Sequence, residues 1–446
     1  MDRAEEIDVG ELLQNRPLGR FQITTFALCV LILFVDGLDF SAANVGAPAI
    51  LRAFKAEPDA MSMVFGWGYF GFFIGSVLFG FLGDKLGRKT GVIAAVLTYS
   101  VPSLLTAFAV TFGQLAAFRF LAGLGIGGVI PNTVALLTET APKRLRITFI
   151  MAAFVGYSAG NAAIGPIAAW FIPRLGWPVV FMVAGTAGIF LVVALSLFLS
   201  ESIPFLAAAR PDGRRLRRTL AVAVPELEIS EATRLLVRRS VNGTKFSLKL
   251  LFDGDRRFIT PLLWLAFFAE SLTYITLSTW LAVLLERAGF TPAQAVFAYS
   301  YASLGAVAAI LVVARSLDRF GPRACVASAL VAVAAIFSLG TPELPVELLT
   351  VFAILGIAFG SATHNSLLGI VGGYYPTIVR SNGVGYASGL GRIAAIIGPV
   401  LAGYLLSSFS LRAVLFSIAA PDLVVAGACL ALAHYGQVRP RVAEVA

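Results

Sequence analysis

Charged residues are scarce in this chain. Asp, Glu, Lys and Arg make up 13% of its 446 residues, while 58% are hydrophobic. A soluble domain needs roughly 25% charge to cover its surface, so an ordinary soluble globular protein is excluded. The mean hydropathy of +0.86 agrees. Histidine is scarcer still: His364 and His434 are too few and too far apart for a His-based metal site. The three cysteines, Cys29, Cys325 and Cys429, form no CxxC spacing, so neither a metal site nor a disulfide framework is indicated. The first residues, MDRAEEIDVGELLQNRP, are polar and acidic, and no signal peptide is expected there.

What is present in excess is apolar length. Twelve stretches reach or approach the ~20 apolar residues of a membrane-crossing helix. They lie near 21–48, 62–82, 90–111, 113–137, 147–171, 178–200, 259–284, 294–314, 324–340, 347–370, 382–407 and 413–434. The ninth is short, and only the turn PRLGWP separates the fifth from the sixth. The pattern predicts an all-α polytopic membrane protein with twelve transmembrane helices. Its parts are an N-terminal six-helix half (1–200), a polar central linker (201–257) and a C-terminal six-helix half (258–446). Twelve Lys or Arg fall in the linker, where some helix is expected around 226–239. The 43 glycines suit close packing of membrane helices.

The net charge of +9 would point to nucleic acid in a soluble protein. Here it reads as Lys and Arg in cytoplasmic loops, and no nucleic-acid partner is expected. With the N-terminus inside, the short inner loops carry ten basic residues (Lys85, Arg88, Lys89, Lys143, Arg144, Arg146, Arg315, Arg319, Arg323, Arg380). The outer loops carry five (Arg52, Lys55, Arg174, Arg287, Arg412). Both termini are therefore expected to be cytoplasmic.

The halves repeat. GFLGDKLGRK (80–89) aligns with ARSLDRFGPR (314–323), so that Asp84 matches Asp318 at an offset of 234. Pro142 and Arg146 match Pro376 and Arg380 at the same offset, and Gly165-Pro166 matches Gly398-Pro399 at 233. Internal repeats are the common construction of secondary transporters, which bind substrate near the bilayer midplane.

GFLGDKLGRK is similar to the Gly-x-x-x-Asp-Arg-x-Gly-Arg-Lys signature of the major facilitator superfamily, with Lys85 in place of Arg. DGLDFSAANVGAPAI, FRFLAGLGIGGVIPNTVAL with TETAPKRLR, TPLLWLAFFAESLTYITLSTWL, YYPTIVRSNGVG and GLGRIAAIIGP extend the likeness. Together they resemble the aromatic acid:proton symporter family, bacterial importers of hydroxybenzoates and similar acids. The resemblance spans nearly the whole chain. It implies a major facilitator fold in the bacterial inner membrane, acting as a monomer on a small aromatic acid and protons. No cofactor is expected, the proton gradient being the driving force. Two features depart from the family: GNAAIGP in the fifth stretch is shared with some exporters, and Ala282-Val283 replaces Pro-Thr. Export, another organic anion, or a sensor that binds without transport are the alternatives.

Asp36 and Asp39, three residues apart, share a helix face. Charged carboxylates are costly inside a membrane and mark proton or substrate sites, and the family resemblance points to the same pair. The alternative is a structural pair that caps a break at Gly37 or hydrogen-bonds neighbouring helices. Arg119 cannot shed its charge and needs an anion: Asp36 or Asp39 when the transporter is empty and a substrate carboxylate when it is loaded, or else a permanent structural ion pair. Arg392 is a second intramembrane cation, and guanidinium forks favour organic acids. Glu270 stands at the repeat position of Asp36, and is a third candidate for proton coupling. His364 and Asn365 could hydrogen-bond a phenol, and Phe40, Tyr157, Trp280 and Tyr386 could stack on an aromatic ring. Asp84, Gly87, Arg88, Lys89, Glu139 and Arg146 are expected to form a cytoplasmic gate, with Asp318, Arg319 and Arg380 as its counterpart.

No enzyme activity is expected. GYSAG (156–160) and GLGIGG (123–128) imitate a nucleophile elbow and a dinucleotide fingerprint. Neither follows a strand, and both read as helix-packing faces. The sequon Asn242-Gly243-Thr244 falls in the cytoplasmic linker.

Overall fold

The computed structural model describes residues 6–8, 18–209, 214–224, 234–236, 248–341, 343–375 and 377–438. Six long helices come first: α1 Arg20–Phe54, α2 Pro58–Leu86, α3 Arg88–Thr106, α4 Phe112–Thr140, α5 Arg146–Leu175 and α6 Pro178–Phe198. Two short helices follow in the linker, α7 Ile203–Ala209 and α8 Arg214–Ala223. Then come α9 Arg256–Arg287, α10 Pro292–Phe320, α11 Pro322–Ser338, α12 Val346–Tyr374, α13 Thr377–Ser408 and α14 Leu411–Val438.

Ten of these are long and apolar enough to cross a membrane. The other two long helices, α3 and α11, have 19 and 17 residues. They are counterparts in the repeat, so the short ninth stretch has a matching short third. The chain is therefore an all-α, multi-pass membrane protein.

The linker differs in detail from the sequence expectation. Its helices lie earlier, at α7 and α8, and Arg234–Leu236 pairs in parallel with Glu6–Asp8. Residues 226–233 and 237–239 lie outside the described residues, as does the sequon at 242–244.

Helix starts are written locally. Proline, whose missing N–H costs nothing in the first turn, is the first residue of α2, α6, α10 and α11. The Thr111 side chain accepts the Gln114 N–H to open α4. Thr291 and Gln294 form a capping box at α10. The 234-residue repeat reaches down to these boundaries. Pro58–Leu86 maps onto Pro292–Phe320, and Phe112–Thr140 onto Val346–Tyr374, at both ends. Gly87 and Gly321, also 234 apart, hold φ of 106° and 61°, a left-handed turn that side-chain-bearing residues rarely adopt.

The chain divides into two compact units. The first comprises Met1–Phe40, Phe70–Asn161 and Phe181–Asn242. Its core joins Cys29, Ile32 and Leu33 of α1 to Val96 and Tyr99 of α3, Ile126 of α4 and Leu191 of α6. Gly125 lets α4 approach the α3 backbone at Ala95 and Tyr99, and Gly127 faces the α2 carbonyl of Phe72. Gly160 faces the α1 carbonyl of Phe34. The GLGIGG and GYSAG segments are thus helix-packing surfaces.

The second unit comprises Ser41–Tyr69, Ala162–Val180 and Gly243–Ala446. One of its cores gathers Leu263, Phe267 and Ala269 of α9, Cys325 and Ala329 of α11, Val371 of α12, and Val425 and Cys429 of α14. The later part of α1 and the start of α2 belong to this unit too. Ser41 and Tyr299 hydroxyls meet at 2.8 Å, and Tyr69 and Thr279 at 2.7 Å. Phe65 lies edge-on to Trp280, and Arg52 pairs with Glu286.

Candidate functional site

The first charged cluster lies in the first unit. Asp36 and Asp39 are both wholly buried. α1 runs through Gly37 without a break, so neither acid caps a helix end there. A Cβ on Gly37 would run into the Tyr157 carbonyl of α5, so glycine at this position is what lets the two helices close around the acids.

Asp39 is the partnered acid. The Ser103 hydroxyl of α3 donates to its Oδ1, and both terminal nitrogens of Arg119 on α4 reach its Oδ2 at 3.4 Å. Arg119 Nη1 also donates to Ser103 Oγ at 3.1 Å. These guanidinium contacts are longer than the usual 2.7–2.9 Å of a tight charge-assisted bond. Arg119 is itself buried, and the Phe181 ring lies 5.6 Å from its guanidinium carbon. Asp36, one turn back, has no hydrogen-bond partner for either oxygen among the described residues. Tyr99, buried on α3, lies within electrostatic reach of both carboxylates. The arrangement is a buried cation held loosely by one of two acids. An incoming anion could compete for it. Phe40 and Tyr157 flank the region, their ring centroids 6.2 Å apart.

The second cluster lies in the second unit. Glu270 of α9 is wholly buried and pairs through Oε2 with His364 Nδ1 of α12. Its Oε1 has no partner among the described residues. The imidazole sits beside two rings of α9, Phe267 at 5.2 Å and Tyr274 at 5.6 Å. Asn365 is exposed, and its amide donates back to Ser361 O at 2.8 Å. Arg392 is partly buried on α13. Tyr386 is 44% exposed, 5.9 Å from the Trp264 ring. Trp280 is fully buried, donating to Pro399 O at 2.9 Å.

The α2–α3 loop forms a third cluster, within the first unit. Arg88 donates to Asp84 at 2.5 Å and to Glu139 of α4 at 3.0 Å. The second Glu139 oxygen accepts the Ser202 hydroxyl. Glu201, just before α7, accepts the Lys89 and Ser202 backbone N–H groups at 3.0 and 2.9 Å. It also packs against Gly87, where any Cβ would strike it. Lys89 Nζ reaches Ser196 O at 2.9 Å. Arg146 begins α5, with its buried Nε making no hydrogen bond among the described residues. In the second unit Asp318 and Arg319 are exposed, with Arg319 5.2 Å from the Phe320 ring. Arg380 donates to Tyr375 O at 3.2 Å.

Sequence reasoning left out Ser103, Tyr99, Glu201 and Asp422. The first three are ordinary residues whose importance comes from neighbours distant in sequence. Asp422 carries the same signal as Asp36, an acid within an apolar run.

The chain matches the Major Facilitator Superfamily over residues 29–376 and 263–445. It is 32% identical over 430 residues to a gallate transporter of Pseudomonas putida, covering 96% of this chain and 95% of that protein. It is 31% identical to the 4-hydroxybenzoate transporter PcaK of Acinetobacter baylyi, over 90% of this chain and 89% of that one. It is 30% identical to the 3-(3-hydroxy-phenyl)propionate transporter of Escherichia coli, with coverages of 90% and 92%. Among solved structures it resembles a bacterial homologue of the human lysosomal transporter Spinster, described as inward-facing and occupied. That match has a TM-score of 0.72 at 15% identity, covering 96% of this chain and all of that one. The repeated helices, the loop signature and these matches carry one conclusion: the chain belongs to the Major Facilitator Superfamily of membrane transporters.

Proposed function

We propose that this chain carries an aromatic carboxylate, such as a hydroxybenzoate, into the cell together with protons, by alternating access in the bacterial cytoplasmic membrane. The observation that carries the reading is the buried Asp39–Ser103–Arg119 contact. The substrates of the similar transporters, gallate, 4-hydroxybenzoate and 3-(3-hydroxy-phenyl)propionate, support the substrate class.

In the empty transporter Asp39 neutralises Arg119. A proton arriving at Asp39 removes that neutralisation and frees the guanidinium fork for a substrate carboxylate, which it can grip through two parallel N–H groups. The long Arg119–Asp39 contacts suit an exchangeable partner. Asp36 stands beside Asp39 as a second proton acceptor, and the charges of both reach Tyr99. Phe40 and Tyr157 supply aromatic surface nearby. The Asp84–Arg88–Glu139 cluster and the basic inner loops are read as the cytoplasmic gate, with both termini inside. The imported species needs no cofactor, since the proton gradient supplies the free energy.

The test is uptake of labelled 4-hydroxybenzoate by purified protein in liposomes under an inward proton gradient. Wild type should accumulate the acid and lose accumulation when the gradient is collapsed. Asp36→Asn should lose gradient-driven accumulation. Undiminished accumulation in that variant would sink the coupling role.

A further inference from the structure

Asp422 lies in α14, within the second unit, and takes no part in the reading above. It is wholly buried, and neither of its oxygens has a hydrogen-bond partner among the described residues. The hydroxyl beside it belongs to Thr273 of α9. That hydroxyl has one proton, and it donates it to Ile418 O, one turn before Asp422, at 2.8 Å. With that proton committed to Ile418, both Asp422 oxygens stay without a hydrogen-bond partner among the described residues.

Among the described residues no cation acts on Asp422. α9 brings Glu270, whose charge acts on Asp422. Glu270 is itself buried, with Oε2 on His364 of α12 and Oε1 without a partner among the described residues. α11 brings Cys325, which lies beside Cys429 of α14 and within reach of both acids. The rest of the neighbourhood is apolar, with Val425, Ala426 and Ala269 in the same core. α13, the third helix against α14, carries Arg392, which is not among the charges that act on Asp422. Two buried carboxylates thus act on each other, and of the two only Glu270 is paired among the described residues, with a His364 side chain that is 25% exposed. Like charges so placed cannot both stay ionised, and an unpaired buried charge is strongly disfavoured.

We infer that Asp422, Glu270 and His364 form a second proton-binding site in the C-terminal half, in which the Asp422 carboxyl holds an exchangeable proton. This deepens the proton-coupled reading and rests on it only for the link to transport. The binding of the proton stands on the buried geometry alone. The step is simple: a solvent proton adds to the carboxylate and gives a neutral acid, and the reverse releases it.

Infrared difference spectroscopy of the full-length protein in detergent reads this directly. Wild type minus Asp422→Asn should leave a protonated-carboxyl C=O band at neutral pH. That band should disappear at alkaline pH, at a midpoint that moves in Glu270→Gln. Asp422→Glu should keep such a band at a shifted frequency, which guards against reading a misfolded Asn variant. Addition of 4-hydroxybenzoate in weak buffer should release or take up fewer protons per protein in Asp422→Asn than in wild type. No Asp422-dependent band at neutral pH would overturn the proposal, because the acid would then be ionised. A band that neither titrates nor responds to substrate would overturn it as well, leaving a permanently protonated structural carboxyl. If uptake proves independent of the proton gradient while the band titrates, the transport reading falls and the site stands.

Discussion

Arg52 at the end of α1 and Glu286 at the end of α9 pair with each other, and they occupy the same position in the two repeats, since 286 − 52 = 234. The repeat has kept the helix ends and made their charges complementary. Around them Asp59 N–H donates to Ser407 Oγ at 3.1 Å, and a Cβ on Gly403 would strike Ser62. The second unit thereby ties the ends of helices from both sequence halves.

Arg52 is half-exposed and Glu286 is mostly covered. A pair of this kind contributes about 0.2–1 kcal/mol. Glu286→Arg should lower the melting temperature in detergent, and the swap Arg52→Glu with Glu286→Arg should recover most of the loss. A swap no better than the single reversal would remove the pair from the account of this closure.

Arg119 and Asp39 differ in what their loss leaves behind. Arg119→Ala strands a buried carboxylate, which costs about 3–5 kcal/mol when one partner of a buried pair is removed. Asp39→Asn leaves an acceptor oxygen for Ser103 but strands a buried guanidinium that cannot shed its charge, whereas the stranded carboxylate can take up a proton. Thermal shift measurements should therefore rank Asp39→Asn as the more costly of the two. Binding of 4-hydroxybenzoate, by tryptophan fluorescence, should vanish in Arg119→Ala and survive in Asp39→Asn. Equal loss in both would break the competition between acid and substrate.

Gly37 and Gly160 face carbonyl groups of the opposite helix, at Tyr157 and Phe34. Backbone cannot step aside as a side chain can. Gly37→Ala should destabilise the protein by about 1–3 kcal/mol through overpacking, read as a fall in melting temperature. Gly80, with nothing near its Cβ position, is the matched control and should tolerate alanine.

The loop acids also separate. Glu139 is largely covered and holds both Arg88 and Ser202, whereas the Asp84 side chain is 70% exposed and holds Arg88 alone. Glu139→Gln should therefore reduce uptake several-fold more than Asp84→Asn. The reverse order, measured as initial rates in liposomes, would contradict the ranking.

Much of the fold was legible because apolar length and a 234-residue repeat are properties of the chain itself. Asp84 with Asp318, and Pro142 with Pro376, needed no structure to align. The choice between Asp36 and Asp39 as the partner of Arg119 was not legible. It depends on where α3 places Ser103, some 60 residues away. Asp422 was hidden for another reason. It has no second acid a turn away, and its repeat position is Gly188, so neither clustering nor symmetry drew attention to it. The linker was read least well: among its arginines Leu216, Leu220 and Ala223 recur at helical spacing and form the buried face of α8, whereas the helix was expected around 226–239.

The three native thiols, Cys29, Cys325 and Cys429, are all buried in helix cores. Nature has thus supplied a background close to thiol-silent for maleimide chemistry on the folded protein. One cysteine introduced at Lys55 and another at Ala293, both exposed and one from each repeat, would carry fluorophores or spin labels without first deleting any native residue. The separation of these two sites beside the Arg52–Glu286 pair could then be followed, molecule by molecule, as substrate and pH are changed.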